Sequence, residues 1–228
     1  MGFISSSLLT LHIVAGFISI ILFWIPVFTR KGGKNHRLIG KIYVRLMWVV
    51  VISAAILSVE NLLTGETIMG AFLGFISLIT ANPLFYGIAI LKQKKGLSPT
   101  YQTIHLIFKS AIVLAGIALI AYGISLNGKG TAVLMFIFGG LGVSDLPGLI
   151  RELKNPPKET EWFKEHLVGM CTSGIAAYTA FFVFGASRFF QPLFPGYWAV
   201  IPWIAPSIVG VIGIRYTVNQ YRKKKVIA

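Results

Sequence analysis

Seven apolar runs separated by short polar connections divide the chain, at residues 8–28, 42–63, 68–91, 104–126, 131–150, 167–186 and 198–214. Within each run the apolar positions are continuous and do not alternate. A helix needs about 20 apolar residues to cross a hydrocarbon core ~30 Å thick. A lone helix satisfies its own backbone in lipid, whereas a barrel would show many alternating ten-residue segments. The pattern therefore predicts an all-α fold: a polytopic transmembrane bundle of seven helices forming a single domain over residues 1–228.

Some polar or small positions should shape these helices. Asn82 and Pro83 fall in the middle of the third run, where proline removes a backbone hydrogen bond and predicts a kink. The "DLPG" at residues 145–148 should break or bend the end of helix five, and Pro202 and Pro206 should bend the outer end of helix seven. Gly169, Ser173 and Ala177 recur every fourth residue in the sixth run, as do Gly70 and Gly74 in the third. That spacing lets helices approach closely. Trp162, Tyr197 and Trp198 suit the membrane interface. "NPP" at residues 155–157 lies in the longest basic loop, which has room for a short surface helix.

Composition agrees. Of 228 residues 55% are hydrophobic and 12% charged, and the mean hydropathy is +0.77. A soluble domain carries about 25% charged residues, so most of this surface must face lipid. The net charge of +14 could mean nucleic acid, but the basic residues sit in short loops where topology and anionic headgroups account for them. Nineteen of the 21 lysines and arginines fall on one face of a seven-span chain; only Lys129 and Arg188 fall on the other. The positive-inside rule puts that basic face, and the carboxyl terminus, in the cytoplasm and the amino terminus outside. The expected location is a bacterial inner membrane, with the bilayer and anionic lipid at the cytoplasmic face as partners. Cys171 is the single cysteine, which excludes an intrachain disulfide and a cysteine zinc motif. The first run reads as a retained helix, since a basic loop follows it and no basic segment precedes it.

Ionisable groups within such runs are expensive and usually face a cavity or one another. His36, His105, His166 and Asp145 are all expected at the cytoplasmic rim. Lys109 follows His105 by four residues and Met170 follows His166 by four, each pair sharing a helix face. Arg37 and Arg45 approach the same layer. Three histidines and a carboxylate form a possible metal-ligand set, for zinc. Two histidines, or a histidine with Met170, could instead hold haem iron. The structural alternative pairs Asp145 with Lys109 or Arg45 as a buried lock between helices. Toward the outer side, His12 and Glu60 are expected at similar depth and could relay protons, with Asn82 flanking a substrate path.

Two blocks carry a resemblance. "LHIVAGFISI" at residues 11–20 and "KGGKNHRLIGKIYV" at residues 31–44 place a histidine in helix one, then a glycine-rich turn, then His-Arg, then glycine: His12, Gly16, Gly32, Gly33, His36, Arg37 and Gly40. This opening resembles the bacterial predicted-membrane-protein family labelled domain of unknown function 2306. "WFKEHLVGMCTSGIAAYTAF" at residues 162–181 resembles a late helix of such proteins. The resemblance implies a bacterial multispan protein and singles out His12, His36, Arg37 and His166, without a chemistry. Helix seven has no histidine, which separates the chain from the zinc-dependent seven-helix hydrolases related to alkaline ceramidases and adiponectin receptors. Three readings stay open: a metal- or haem-dependent redox or hydrolytic protein, a carrier of a small molecule or ion using Asp145, Lys109 and Arg45, and a structural subunit.

Overall fold

The computed structural model describes residues 3–126, 130–155, 161–186, 189, 193–194, 198 and 201–227. Lys129, Pro156, Pro157, Lys158, Arg188 and Tyr197 lie outside the described residues, as do the side chains of Lys223, Lys224 and Lys225. The described residues form helices and no strands: α1 (Phe3–Phe28), α2 (Lys34–Leu63), α3 (Thr67–Lys92), α4 (Pro99–Ser125), α5 (Gly130–Val143), α6 (Leu146–Lys154), α7 (Trp162–Ala180) and α8 (Ile201–Ile227). One π-helical turn, Phe181–Gly185, extends α7.

Seven stretches are long and apolar enough to cross a membrane: α1 to α4 each supply one, α5 with α6 the fifth, α7 with its π turn the sixth, and α8 the seventh. The helices outrun the apolar runs. Helix α2 starts at Lys34 where the apolar run begins at residue 42, and α8 continues to Ile227, well past residue 214. Polar residues at a span's end are solvated by headgroups and water, so hydropathy drops before the hydrogen-bond ladder does.

The DLPG break falls where the sequence places it. Helix α5 stops at Val143 and α6 starts at Leu146, with Pro147 in the first turn, where its missing N–H costs nothing. Helix α3 runs through Pro83, and Pro206 lies inside α8. Between α1 and α2 the chain reverses in a turn closed by Gly33 N–H donating to Arg30 O at 2.9 Å, with Gly32 at φ +74°. That left-handed conformation favours glycine.

Successive helices pack on one another from α1 to α5, while α7 returns to lie against α3 and also touches α1. Helix α8 rests chiefly on α7. Close approaches follow the small residues. A Cβ on Gly169 would come within 2.6 Å of Pro83 O and 2.8 Å of Gly87 Cα, so α3 and α7 touch backbone to backbone. Ser173, one turn on, is fully buried and its hydroxyl lies 2.9 Å from the Tyr43 hydroxyl. Ala177 packs against the buried cluster of Tyr43, Met47 and Leu84. In the same way Ser58 Oγ donates to Gly70 O at 2.7 Å where α2 meets α3. A second core, away from the basic face, gathers Phe72, Phe75, Ile112, Leu119, Met135 and Phe138.

Gly169→Leu should therefore force backbones apart and lower stability by about 1–3 kcal/mol, the usual cost of overpacking. Gly140→Ala, whose Cβ meets nothing within 4 Å, should leave stability unchanged. Unfolding of both variants in detergent checks this, and equal midpoints would contradict the close α3–α7 approach.

Candidate functional site

The polar residues of the spans converge where α3, α4 and α6 meet near the basic face. The convergence begins with glycines. A Cβ on Gly116 would lie 2.8 Å from Gly139 O, and one on Gly142 would lie 2.8 Å from Ile112 O. Backbones that touch there bring Lys109, two turns earlier on α4, against the α5–α6 junction.

Lys109 is buried, with a side chain only 7% exposed. Its Nζ donates to Glu152 Oε1 at 2.8 Å and lies 3.3 Å from Asp145 Oδ1. Gly148 lies beside both groups, and a Cβ there would be 3.3 Å from Lys109 Nζ and 3.0 Å from Asp145 Oδ1. The glycine of the DLPG turn thus leaves room for the ammonium. Burying one ion is expensive, and two carboxylates with good geometry offset that cost.

His105, one turn before Lys109, is also buried. Its Nδ1 lies 2.8 Å from Asn82 Oδ1 on α3. An amide oxygen only accepts, so the ring N–H donates. Its Nε2 lies 3.4 Å from Glu152 Oε2, and that oxygen is buried without a hydrogen-bond partner. The Tyr86 ring covers the imidazole, with centroids 4.3 Å apart. A neutral imidazole that donates from Nδ1 has a bare Nε2, so two acceptors would face each other unless a proton lies between them. One lysine against two carboxylates leaves one net negative charge, and one proton brings the cluster to neutrality.

The other histidines do different work. His36 Nδ1 donates to Pro26 O at 3.1 Å, and Lys31 Nζ donates to the same carbonyl at 2.9 Å. Together they cap the end of α1. His166 Nδ1 donates to Gly87 O at 2.7 Å, pinning α7 to α3. The His36 and His166 rings face each other edge-on with centroids 6.4 Å apart. Met170 packs against the Tyr43, Met47 and Leu84 core. His12 Nδ1 lies 2.8 Å from Ser53 Oγ, and Glu60 lies seven residues farther along α2, half-buried. Arg37 and Arg45 are exposed.

Of the expected set, the structure joins His105, Lys109, Asp145 and Asn82, and it places His36 against His166. It realises the Asp145–Lys109 pair, one of the two pairings offered for that aspartate. Among the described residues no group of three or more histidine, cysteine, aspartate or glutamate side chains is arranged to hold a metal ion. Glu152 was not anticipated, because the fifth apolar run ends at residue 150 while the helix continues to Lys154. Its signal is the spacing: Glu152 follows Asp145 by seven residues, two helical turns, which puts both carboxylates on one face.

The basic rim has its own ties. Arg222 of α8 donates to Glu161 Oε2 at 3.2 Å and Lys164 lies 3.5 Å from the same oxygen. The Arg222 guanidinium holds the Glu161 carboxyl below its ordinary range. Lys94 Nζ sits 4.5 Å from the Trp162 ring centroid.

No protein-family model, curated protein or solved structure matches the chain.

Substitutions should rank the two carboxylates. Glu152→Gln removes the closer partner of a buried ammonium and should cost about 3 kcal/mol, typical of breaking a buried pair. Asp145, 40% exposed and farther from Lys109, should cost under about 1 kcal/mol as Asp145→Asn. Detergent unfolding at neutral pH measures both, and the reverse order would contradict the geometry.

Proposed function

We propose that the protein is a proton-linked carrier of a small molecule in the cell membrane, with His105, Glu152 and Lys109 as its proton-exchange site. The observation that carries this reading is the pair of facing acceptors, His105 Nε2 and Glu152 Oε2, 3.4 Å apart at a buried position. A proton shared there is the balance on which the contact between three spans turns. With Glu152 ionised, α4 is tied to α6 through Lys109 and to α3 through His105 and Asn82. With the proton between Glu152 and His105, α6 is also tied to α4 by that hydrogen bond; with the proton gone the two acceptors face each other and that tie is lost, while Lys109 still holds Glu152. Intramembrane ionisable chains of this kind commonly mark proton paths.

Orientation by the positive-inside rule puts the site at the cytoplasmic side, with Arg37 and Arg45 in the surrounding basic layer as attractors for an anionic solute. Asn82 beside Pro83 links the His105–Glu152 pair to the proline-containing helix. A zinc or haem reading would place its ligands at His36, His105, His166 and Asp145. Among the described residues these do not form a three-ligand group, and the hydrogen bonds of His36 and His166 to carbonyls serve helix packing.

Proteoliposomes enclosing a pH-sensitive dye test the reading. Small carboxylate and phosphate anions are added outside in turn. At least one should drive acidification of the lumen by wild-type protein and at least tenfold less by Glu152→Gln. A panel in which no anion moves protons, or in which Glu152→Gln matches wild type, would contradict it.

A further inference from the structure

A groove runs along the outside of the bundle, between α1, α7 and α8. It encloses about 330 Å³ and is independent of the proton site. It exists because α8 rests chiefly on α7 and leaves α1 uncovered on that side. Its walls are almost entirely apolar, with Phe23, Ile175 and Val209 among them, and Gly213 opens its floor. A Cβ on Gly213 would meet nothing within 4 Å.

The polar atoms within the groove are turned to the protein. Trp24 Nε1 donates to the Tyr178 hydroxyl at 2.6 Å, and that hydroxyl donates to Ile20 O at 2.6 Å. Thr217 Oγ1 donates to Gly213 O at 2.9 Å. One charged residue lines the groove: Lys31, exposed at the end nearest the basic face. Its Nζ donates to Pro26 O and Val27 O at 2.9 and 2.5 Å. An ammonium has three N–H groups, so one remains. None of the ion pairs among the described residues involves Lys31.

Length and charge select the occupant. From Pro206 to Thr217 along α8 the groove spans about 17 Å at 1.5 Å per residue, a little over half of a ~30 Å hydrocarbon core. That is the depth of one leaflet. The cationic end lies among Arg30, Lys34 and Arg37 of the first connection and the start of α2, at the level of the headgroups. A zwitterionic lipid would bring a cation of its own beside Lys31 and offset the attraction, whereas an anionic headgroup leaves the phosphate to meet the ammonium.

We propose that this groove retains one anionic glycerophospholipid, its acyl chain along α8 and its phosphate on Lys31. The lipid would replace the contact that α1 and α8 do not make.

Native mass spectrometry of the delipidated protein in detergent tests this, with phosphatidylglycerol and phosphatidylcholine of identical acyl chains as probes. Wild type should retain one phosphatidylglycerol with roughly fivefold preference over phosphatidylcholine, as one lysine at a membrane surface provides. Lys31→Gln should bind both lipids equally, and Lys31→Arg should restore the preference. Gly213→Leu, which fills open space, should lose the retained lipid of either kind while its unfolding midpoint holds. Equal retention of the two lipids by wild type would overturn the proposal. So would unchanged retention in Gly213→Leu, or a protein dimer in place of bound lipid.

Discussion

A lysine ammonium inside an apolar bundle has no water to solvate it, and the arrangement of α3, α4 and α6 follows from that. Lys109 enters the protein where the backbones of α4 and α5 touch at Gly116, Gly139 and Gly142. The chain answers with a helix break at Asp145, which turns two carboxylates toward the ammonium, and with Gly148, which keeps the space open. The Coulomb attraction grows as the surroundings lose water, and so does the penalty for leaving either partner alone. Through Glu152 the requirement extends to His105, and through His105 to Asn82 and the proline-containing helix.

Four other polar contacts are made locally, as a bilayer demands. His12 uses Ser53, His36 uses Pro26 O, His166 uses Gly87 O, and Tyr43 meets Ser173. Each of these joins two helices and none needs a bound ligand. The cluster at Glu152 differs because its hydrogen-bond count closes only with a proton. That difference, more than the number of histidines, separates a candidate working site from packing. The lateral groove belongs to the opposite side of the same logic: its indole, phenol and threonine groups bond within the protein, and its lysine looks outward.

The spans were legible because hydropathy over about 20 residues depends on no tertiary detail, and the glycine and proline punctuation at residues 145–148 and at Gly169 acts locally. The site was legible in part. Lys109 with Asp145 could be foreseen as one of two pairings, since a buried cation needs an anion at its depth. Glu152 was hidden by the drop in hydropathy at the span's end, which made a helical residue look like loop. The partners of His12, His36 and His166 are a hydroxyl and two backbone carbonyls. Carbonyls occur at every position, so no sequence pattern could single them out. The grouping of histidines by depth was too coarse, because residues at one level of a bundle can still face different neighbours.

The pairing of Lys109 with Glu152 is the claim on which the cluster rests, and a double-mutant cycle measures it most directly. Lys109→Met alone leaves Glu152 uncompensated, and Glu152→Gln alone leaves Lys109 with its more distant partner. If the two residues stabilise each other, the double variant should unfold at higher denaturant than Lys109→Met, with a coupling of about 1–3 kcal/mol between the sites. Strictly additive losses would mean that the two charges do not depend on each other, and the pairing would be refuted.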